Sequence, residues 1–266
     1  MIEDHNLSRA RSMYAVKAND LITKGRFSFS LEQQKVLMYM ISKITPLSFS
    51  SDWFEIEVKD YCEICGLTRK GQYYKNIRDG LEKIAKQYCW IETGEGQKDW
   101  FQWLSRIQTN EKSGKIRYKF SETVFPFLFD LKEKFTKIEL IQTLTFSSKY
   151  TIRLYEYLKV YAFHAYIEGG YTEYTHEVAI DELKRILDCE NYKRYPDLRR
   201  YILETAENEI NDKTTDMRIE IKGIGSGRRI DKVTFKYLPI GILDEASASS
   251  QMHRRLNGEE HKNTRS

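Results

Sequence analysis

Ile180-Asp-Glu-Leu-Lys-Arg-Ile-Leu187 begins the stretch of sequence that decides the fold. It is followed by Pro196-Asp-Leu-Arg-Arg-Tyr-Ile-Leu-Glu-Thr-Ala-Glu-Asn-Glu-Ile-Asn-Asp212, in which apolar residues recur every four positions and predict a long helix. The alternating patterns of Met217-Arg-Ile-Glu-Ile221 and Lys232-Val-Thr-Phe-Lys-Tyr237 predict two strands. The polar, glycine-containing residues 222–231 between them are typical of a hairpin tip. We therefore expect a short helix, a longer helix and a β-hairpin.

The same order of elements is predicted twice along the chain. Helix, strand, helix, helix and hairpin is the order of a winged helix, which is a helix-turn-helix with a hairpin beside it. Two copies predict an α+β protein of two tandem, pseudo-symmetric winged-helix domains, with chance similarity between common α+β segments as the alternative. The predicted domains are residues 1–130 and 131–240, followed by a polar tail at 241–266. The further predicted helices are 31–41, 59–65, 72–86 and 148–163, and the further strands are 53–58, 89–91, 101–108, 115–120 and 174–178.

Composition narrows the class of protein. The 266 residues carry 43 basic and 39 acidic side chains, a net charge of +4, and 41% are hydrophobic, which is enough for a real core. The charged side chains among residues 1–20 argue against a signal peptide, and no apolar run approaches the roughly 18 residues of a membrane span. We expect a cytoplasmic protein without membrane contact, whose four cysteines are reduced.

Motifs for catalysis, a cofactor or a metal are incomplete. Gly66 and Gly71 have the spacing of a P-loop but lack the Lys and Ser/Thr that should follow. Gly223-Ile-Gly225-Ser-Gly227 does not have the spacing of a dinucleotide-binding loop and is better interpreted as a hairpin tip. Cys62 and Cys65 have no second pair to complete a zinc site, and all five histidines are isolated. We expect no catalytic residue, no cofactor and no metal, although a carboxylate cluster assembled by folding stays open.

Basic residues concentrate on three segments. Two of these segments each contain the start of the second helix of one predicted helix-turn-helix, and the third segment contains the second hairpin. In the helix after Pro196 the arginines come early and the acids come late. This order is the opposite of the one that the helix dipole stabilises, and it therefore favours a DNA-binding role over stability alone. A solvated basic face balanced by nearby acids is the alternative interpretation. The candidate DNA contacts are Arg69, Lys70, Lys75, Arg78, Lys193, Arg194, Arg199, Arg200, Arg228, Arg229 and Lys232.

The sequence resembles the iteron-binding replication initiator (Rep) proteins of theta-replicating plasmids. Ser148-Lys-Tyr-Thr-Ile-Arg-Leu-Tyr-Glu156 is similar to the junction between the family's two winged-helix domains. Tyr195-Pro-Asp-Leu-Arg-Arg200 with Glu209-Ile-Asn211 is similar to its second recognition helix, and the segment from Gly227 to Tyr237 to the wing after it. Ala18-Asn-Asp-Leu-Ile-Thr23 is similar to its amino-terminal segment.

The resemblance implies a non-enzymatic initiator that binds directly repeated double-stranded DNA sites (iterons) at a plasmid origin. It implies contacts from Arg194, Arg199 and Arg200, with a weaker match at Lys193. It also implies self-association as a dimer, opening of an AT-rich tract, and recruitment of the host initiator and the replicative helicase. We expect the second domain to bind most of the iteron. The first domain should add further DNA binding, and it should also dimerise through strands 101–108 and 115–120. A tandem winged-helix transcriptional regulator is the main alternative, and a DNA-nicking enzyme is disfavoured by the missing His pair.

Overall fold

The chain folds as two units that divide between Thr145 and Phe146 in a computed structural model. The structure describes residues 13–67, 72–94, 96–167, 170–226 and 229–240. The boundary expected at residue 130 moves because strand β8 (Phe135–Glu139) pairs antiparallel with strand β1 (Tyr14–Ala18). That pairing keeps residues 131–145 with the first unit. The expected tail, 241–266, lies outside the described residues.

The first unit contains the predicted winged helix with an inserted hairpin. Besides β1 and β8, its elements are α1 (Asn19–Thr23), β2 (Gly25–Arg26), α2 (Leu31–Ile41), β3 (Phe54–Glu57), α3 (Val58–Ile64), α4 (Gln72–Lys86), β4 (Tyr88–Gly94), β5 (Gln97–Gln102), β6 (Leu104–Asn110), β7 (Lys115–Phe120) and α5 (Leu140–Thr145). Strands β3, β7 and β6 form one antiparallel sheet in the order β3-β7-β6, and β2, β4 and β5 form another in the order β2-β4-β5.

Local sequence signals explain where the helices begin and end. Helix α2 begins at a capping box, in which the Ser30 hydroxyl accepts from the Gln33 amide and the Gln33 side chain accepts from the Ser30 amide. Helix α3 ends at Ile64, one residue before the predicted end, and the predicted Gly66 follows its C-cap with a φ of 63°, the left-handed conformation that glycine adopts at little cost. The predicted helix 72–86 has the bounds of α4.

One predicted strand is wrong because it contains a corner. The segment 101–108 divides between β5 and β6 at Trp103, which is fully buried and packs its ring 5.2 Å from Phe27 and 5.9 Å from Phe29. Burying this indole turns the chain, so that β5 pairs with β4 while β6 pairs with β7. The inserted β4–β5 hairpin is therefore distinct from the first wing, which is the β6–β7 hairpin.

The second unit repeats the arrangement. The elements are α6 (Lys149–Ala162), β9 (Tyr166–Ile167), β10 (Gly170–Tyr171), β11 (Thr175–Ala179), α7 (Ile180–Leu187), α8 (195–213), β12 (Ile219–Ser226) and β13 (Arg229–Tyr237). Strands β11, β13 and β12 pair in that order, which is the same as β3-β7-β6 and supports a true repeat over chance similarity. Helix α8 is continuous through Tyr195–Leu198, Arg199–Leu203 and Glu204–Lys213. The second wing is the β12–β13 hairpin.

In each winged helix, a buried tyrosine on the central strand of the sheet donates a hydrogen bond to a helix. The Tyr118 hydroxyl on β7 donates to the Met40 carbonyl of α2 at 2.9 Å. In the second unit the Tyr237 hydroxyl on β13 donates to the Leu158 carbonyl of α6 at 2.7 Å. Because both rings are fully buried, each unit packs one face of its sheet on its helices and leaves the other face outside.

Helix α8 is held against α6 by a buried carboxylate. Glu209 accepts from the Ser147 amide and hydroxyl, at 2.8 and 2.7 Å, and from the Thr151 hydroxyl at 2.7 Å. It also pairs with Lys213, which is buried too. Burial acts to raise the pKa of the Glu209 carboxyl, but the Lys213 ammonium and these hydrogen bonds outweigh burial and lower it.

We expect Glu209→Ala to lower the free energy of unfolding by about 3–5 kcal/mol, because it leaves the Lys213 charge buried without its partner. Glu204→Ala, at an exposed position of the same helix, is the matched control and should stay within about 0.5 kcal/mol of the parent. Urea denaturation measures both. Since the folded-state pKa is depressed, the stabilisation is present above the unfolded pKa of about 4.3 and is lost as the pH falls through the folded value. A Glu209→Ala variant as stable as its parent at pH 7 would contradict this role.

Candidate nucleic-acid interface

The start of helix α8 is organised by Arg194 and Pro196. Arg194 lies at the N-cap, and Pro196 occupies the first turn, where no amide donor is needed. The Arg194 guanidinium donates to both carboxylate oxygens of Asp197, at 2.8 and 3.0 Å, and this raises the pKa of Arg194. The Arg194 side chain nevertheless remains 77% exposed, so it is held in place while still open to a phosphate.

A π-helical turn in α8 displays Arg200 and Tyr201. The buried positions Leu198, Ile202, Ala206 and Ile210 are spaced by four residues, which is longer than the 3.6-residue turn of an α-helix. The π turn at Arg199–Leu203 takes up the excess and keeps the buried stripe in line. Arg200 and Tyr201 lie on the exposed side of this turn, with the Arg200 guanidinium carbon 5.4 Å from the Tyr201 ring centre.

Arg199 has a different environment from its neighbour. Its guanidinium donates to Glu207 at 2.6 Å, and the other oxygen of Glu207 accepts from the Ile221 amide of β12 at 2.9 Å. Glu207 therefore connects the helix to the second wing and fixes Arg199 between them. Two of the late acids that the sequence argument opposed to the dipole are thus internal, since the side chains of Glu207 and Glu209 are 14% and 6% exposed, whereas Glu204 and Asp212 are exposed.

Two glycines let the second wing approach α8 and close on itself. A Cβ atom at Gly223 would lie 2.6 Å from the end of the Tyr195 ring, and one at Gly225 would lie 1.8 Å from the Arg229 carbonyl. Both glycines lie within β12, so the predicted tip at residues 222–231 is too long. Strand pairing continues through Ser226 and Arg229, across a bulge at Gly225.

The basic residues of the second wing are paired. Arg229 is 84% exposed and contacts Asp231 at 2.8 Å, whereas Lys232 contacts Glu177 of β11 at 3.2 Å. Exposed pairs of this kind contribute little stability and exchange readily for a phosphate. Arg228 lies outside the described residues.

The first unit places α4 where the second places α8. Lys75 is exposed on α4 and lines a groove of about 670 Å³ between α3, α4 and the turn of the first wing. Arg78 is held more firmly, by Asp79 and Glu111, each at 2.9 Å, and these contacts raise its pKa. Arg69 and Lys70 lie outside the described residues.

The eight described candidates therefore fall into two groups. Arg78, Arg194, Arg199, Arg229 and Lys232 each contact a carboxylate. Within the described part of the chain, no carboxylate lies at ion-pair distance from Lys75, Lys193 and Arg200, which are exposed. Sequence reasoning missed the positioning roles of Tyr195, Glu207 and Gly223. The Gly-x-Gly, predicted as part of the hairpin tip, lies within β12 and was the one available signal for a close approach.

Two further properties concern the described residues as a whole. None of the helices described is both long enough and apolar enough to cross a membrane. No group of three or more His, Cys, Asp or Glu side chains suited to a metal ion lies among these residues.

The fold and the two helix–wing pairs define a tandem winged-helix protein. The chain belongs to the initiator replication protein family: the family's first winged-helix model (Initiator Replication protein, WH1) matches residues 14–159, and its second (Initiator Rep protein, WH2) matches residues 179–237. This confirms the fold class and the family that the sequence motifs indicated.

Individual relatives are distant. A replication initiation protein of Escherichia coli is 24% identical over 255 residues, which span 91% of this chain and 75% of the relative. An uncharacterised 27.6 kDa protein of Escherichia coli is 24% identical over 212 residues, 75% of this chain and 85% of that protein. Among solved structures, the Pi initiator protein in complex with iteron DNA matches with a TM-score of 0.68 at 20% identity, over 85% of this chain and 97% of that one.

We expect Gly223→Ala to cost about 1–3 kcal/mol of stability, because the new methyl group overlaps the Tyr195 ring. Gly170→Ala is the matched control, since a Cβ atom there meets nothing within 4 Å. The cost should fall when Tyr195→Ala is combined with Gly223→Ala, as a double-mutant cycle in urea measures. Additive losses in the cycle would show that the two residues do not meet.

Proposed function

We propose that this chain is a plasmid replication initiator that binds directly repeated double-stranded DNA sites at its origin. The observation that carries the proposal is the occurrence of two helix–wing pairs in one chain, each with an exposed cation on the helix that a winged helix places in the major groove. Membership of the initiator family and the fold shared with an iteron-bound initiator support the same activity. It acts by binding, without catalysis, in the cytoplasm.

The second unit binds most of the site in this proposal. Arg200 projects from α8 with no carboxylate partner among the described residues, so all its donors are available to a guanine edge. Arg194, Arg199, Arg229 and Lys232 are oriented by their carboxylates and exchange them for phosphates or base edges when DNA arrives. The first unit adds a second contact through α4 and Lys75.

Two differing units on one chain favour a site without internal symmetry. A helix-turn-helix dimer reads two identical half-sites and therefore a palindrome. Here one chain carries two helices of different sequence, which suits repeats that all point in one direction. With the protein bound to several repeats, we propose that it opens the adjacent AT-rich tract and recruits the host initiator and the replicative helicase.

Arg200→Ala should weaken binding to a cognate repeat by about 1–3 kcal/mol, because a bidentate contact to guanine is lost. Arg185→Ala is the control, because Arg185 is also exposed but lies on α7, paired with Glu182 at 2.5 Å. Titration by fluorescence anisotropy, on a repeat taken from its own plasmid origin and on scrambled duplex, measures both affinity and preference. An unchanged preference for the repeat in Arg200→Ala would remove Arg200 from recognition.

We also propose that the free protein self-associates through the first unit, with a revised surface. Strand β7, expected as a pairing strand, is hydrogen-bonded on both edges, to β3 and to β6. Strand β5 is at the edge of its sheet, and its Trp100 is 60% exposed beside Trp90. An edge strand with exposed aromatic side chains is suited to pairing with a second copy.

Trp100→Lys is expected to make the free protein monomeric, because a charged edge strand resists pairing. Phe163→Lys is the control and should leave association unchanged. Phe163 is also an aromatic residue, 62% exposed, but it lies in the second unit. Sedimentation equilibrium gives the dissociation constant of each variant. Equal association of Trp100→Lys and the parent would place the contact elsewhere.

A further inference from the structure

The outward face of the β3-β7-β6 sheet carries three cations around one indole ring. Trp53, one residue ahead of β3, has the Arg106 and Arg117 guanidinium carbons and the Lys119 ammonium 5.0–5.2 Å from its ring centre. Arg106 and Arg117 are exposed and Lys119 is partly exposed. The alternate residues of β7, Ile116, Tyr118 and Phe120, are buried on the opposite face. This outward set of Trp53, Arg106, Arg117 and Lys119 is called the basic sheet face below.

The charges of the basic sheet face repel one another. Arg106 lies directly opposite Lys119 in the strand register, and Arg117 is two residues from Lys119 on the same face. Like charges at opposed positions of a sheet are destabilising. Lys115, at the other end of β7, takes both nearby carboxylates, Glu55 at 2.7 Å and Glu57 at 2.9 Å. Glu55 lies directly opposite Arg117 in the register, but among the described residues none of the three cations around Trp53 has a carboxylate at ion-pair distance.

The second unit provides an internal comparison, because its sheet has the same strand order. The three lysines on the outward face of that sheet each have a carboxylate: Lys222 with Glu220 at 2.8 Å, Lys232 with Glu177 at 3.2 Å, and Lys236 with Glu173 at 2.8 Å. The fold can therefore neutralise this face within the sheet. The uncompensated charge of the first unit is a property of its sequence, not a requirement of a winged helix.

We propose that the basic sheet face binds the phosphodiester backbone of DNA, as a contact additional to the α4 and α8 contacts. Outward side chains on one strand repeat at about 6.7 Å, so Arg117 and Lys119 present a row of charge rather than a single point. Arginine forks match phosphate oxygens, and the indole orients the cations through cation–π contacts. The inference rests on the proposed function for the presence of DNA. It adds a sequence-independent surface on the opposite side of the sheet from the helices.

Arg117→Gln/Lys119→Gln tests the contact. Two cations lost from the backbone should lower the slope of log affinity against log salt by up to about 1.8 on duplex DNA, and by about 1.4 on a single strand. The binding preference for a cognate repeat over scrambled duplex should stay unchanged, since the face reads no bases. Lys24→Gln/Arg185→Gln removes two charges that are each paired with a carboxylate and lie outside α4, α8 and the wings, and is the matched control. Arg117→Lys keeps the charge and should keep most of the slope.

Anisotropy titrations on a repeat, a scrambled duplex and a single-stranded oligonucleotide, each at several salt concentrations, separate the outcomes. A reduced slope on one or both forms of DNA supports the proposal and identifies which form occupies the face. The proposal would be overturned if Arg117→Gln/Lys119→Gln had the parental salt slope on all three DNAs and an unchanged melting temperature. An acidic protein partner would then be the remaining occupant of the basic sheet face. If the parent protein did not prefer the repeat over scrambled duplex, the proposed function would be contradicted. The salt slopes on scrambled duplex and on the single strand would still decide this inference.

Discussion

A buried carboxylate at position 209 fixes the helix that carries the proposed DNA contacts of the second unit. Glu209 joins α8 to the start of α6 through Ser147 and Thr151, and its charge is balanced by Lys213. Two residues earlier, Glu207 joins the same helix to β12. Removing either carboxylate would remove polar contacts that hold α8 in place. The placement of Arg199 and Arg200 therefore depends in part on these two acids.

The motif residues that make the family recognisable serve mostly as structure. Arg153 and Glu156, from the junction motif, are both buried, and the Arg153 guanidinium donates to the Ile186 carbonyl of α7 at 3.2 and 3.3 Å. The Asn211 side chain both donates to and accepts from the Ile219 backbone at the start of β12, at 2.8 Å each. These residues position α7, α8 and the wing relative to each other. The proposed DNA contacts lie on exposed cations nearby.

Much of the fold was predictable because its signals are local. The capping box at Ser30, the glycine after α3 and the alternation in β13 each depend on neighbours in the sequence, and each predicted element exists. The corner at Trp103 and the pairing of β1 with β8 depend on partners far along the chain, which periodicity does not reveal. The candidate cations were predictable as a set from their clustering. Which of them are paired was not, because Arg78 meets Glu111 of the first wing and Lys232 meets Glu177 of β11 only in the folded chain.

We propose that the two winged helices of one chain bind one asymmetric site. This can be measured by hydroxyl-radical footprinting on a duplex with a single repeat, combined with sedimentation of the same complex. We expect one protein per repeat and two protected segments about 34–36 Å apart on one face of the duplex, with Arg200→Ala weakening only one of them. Two proteins bound symmetrically to a palindrome, with two equivalent protected segments, would show that the proposal is wrong.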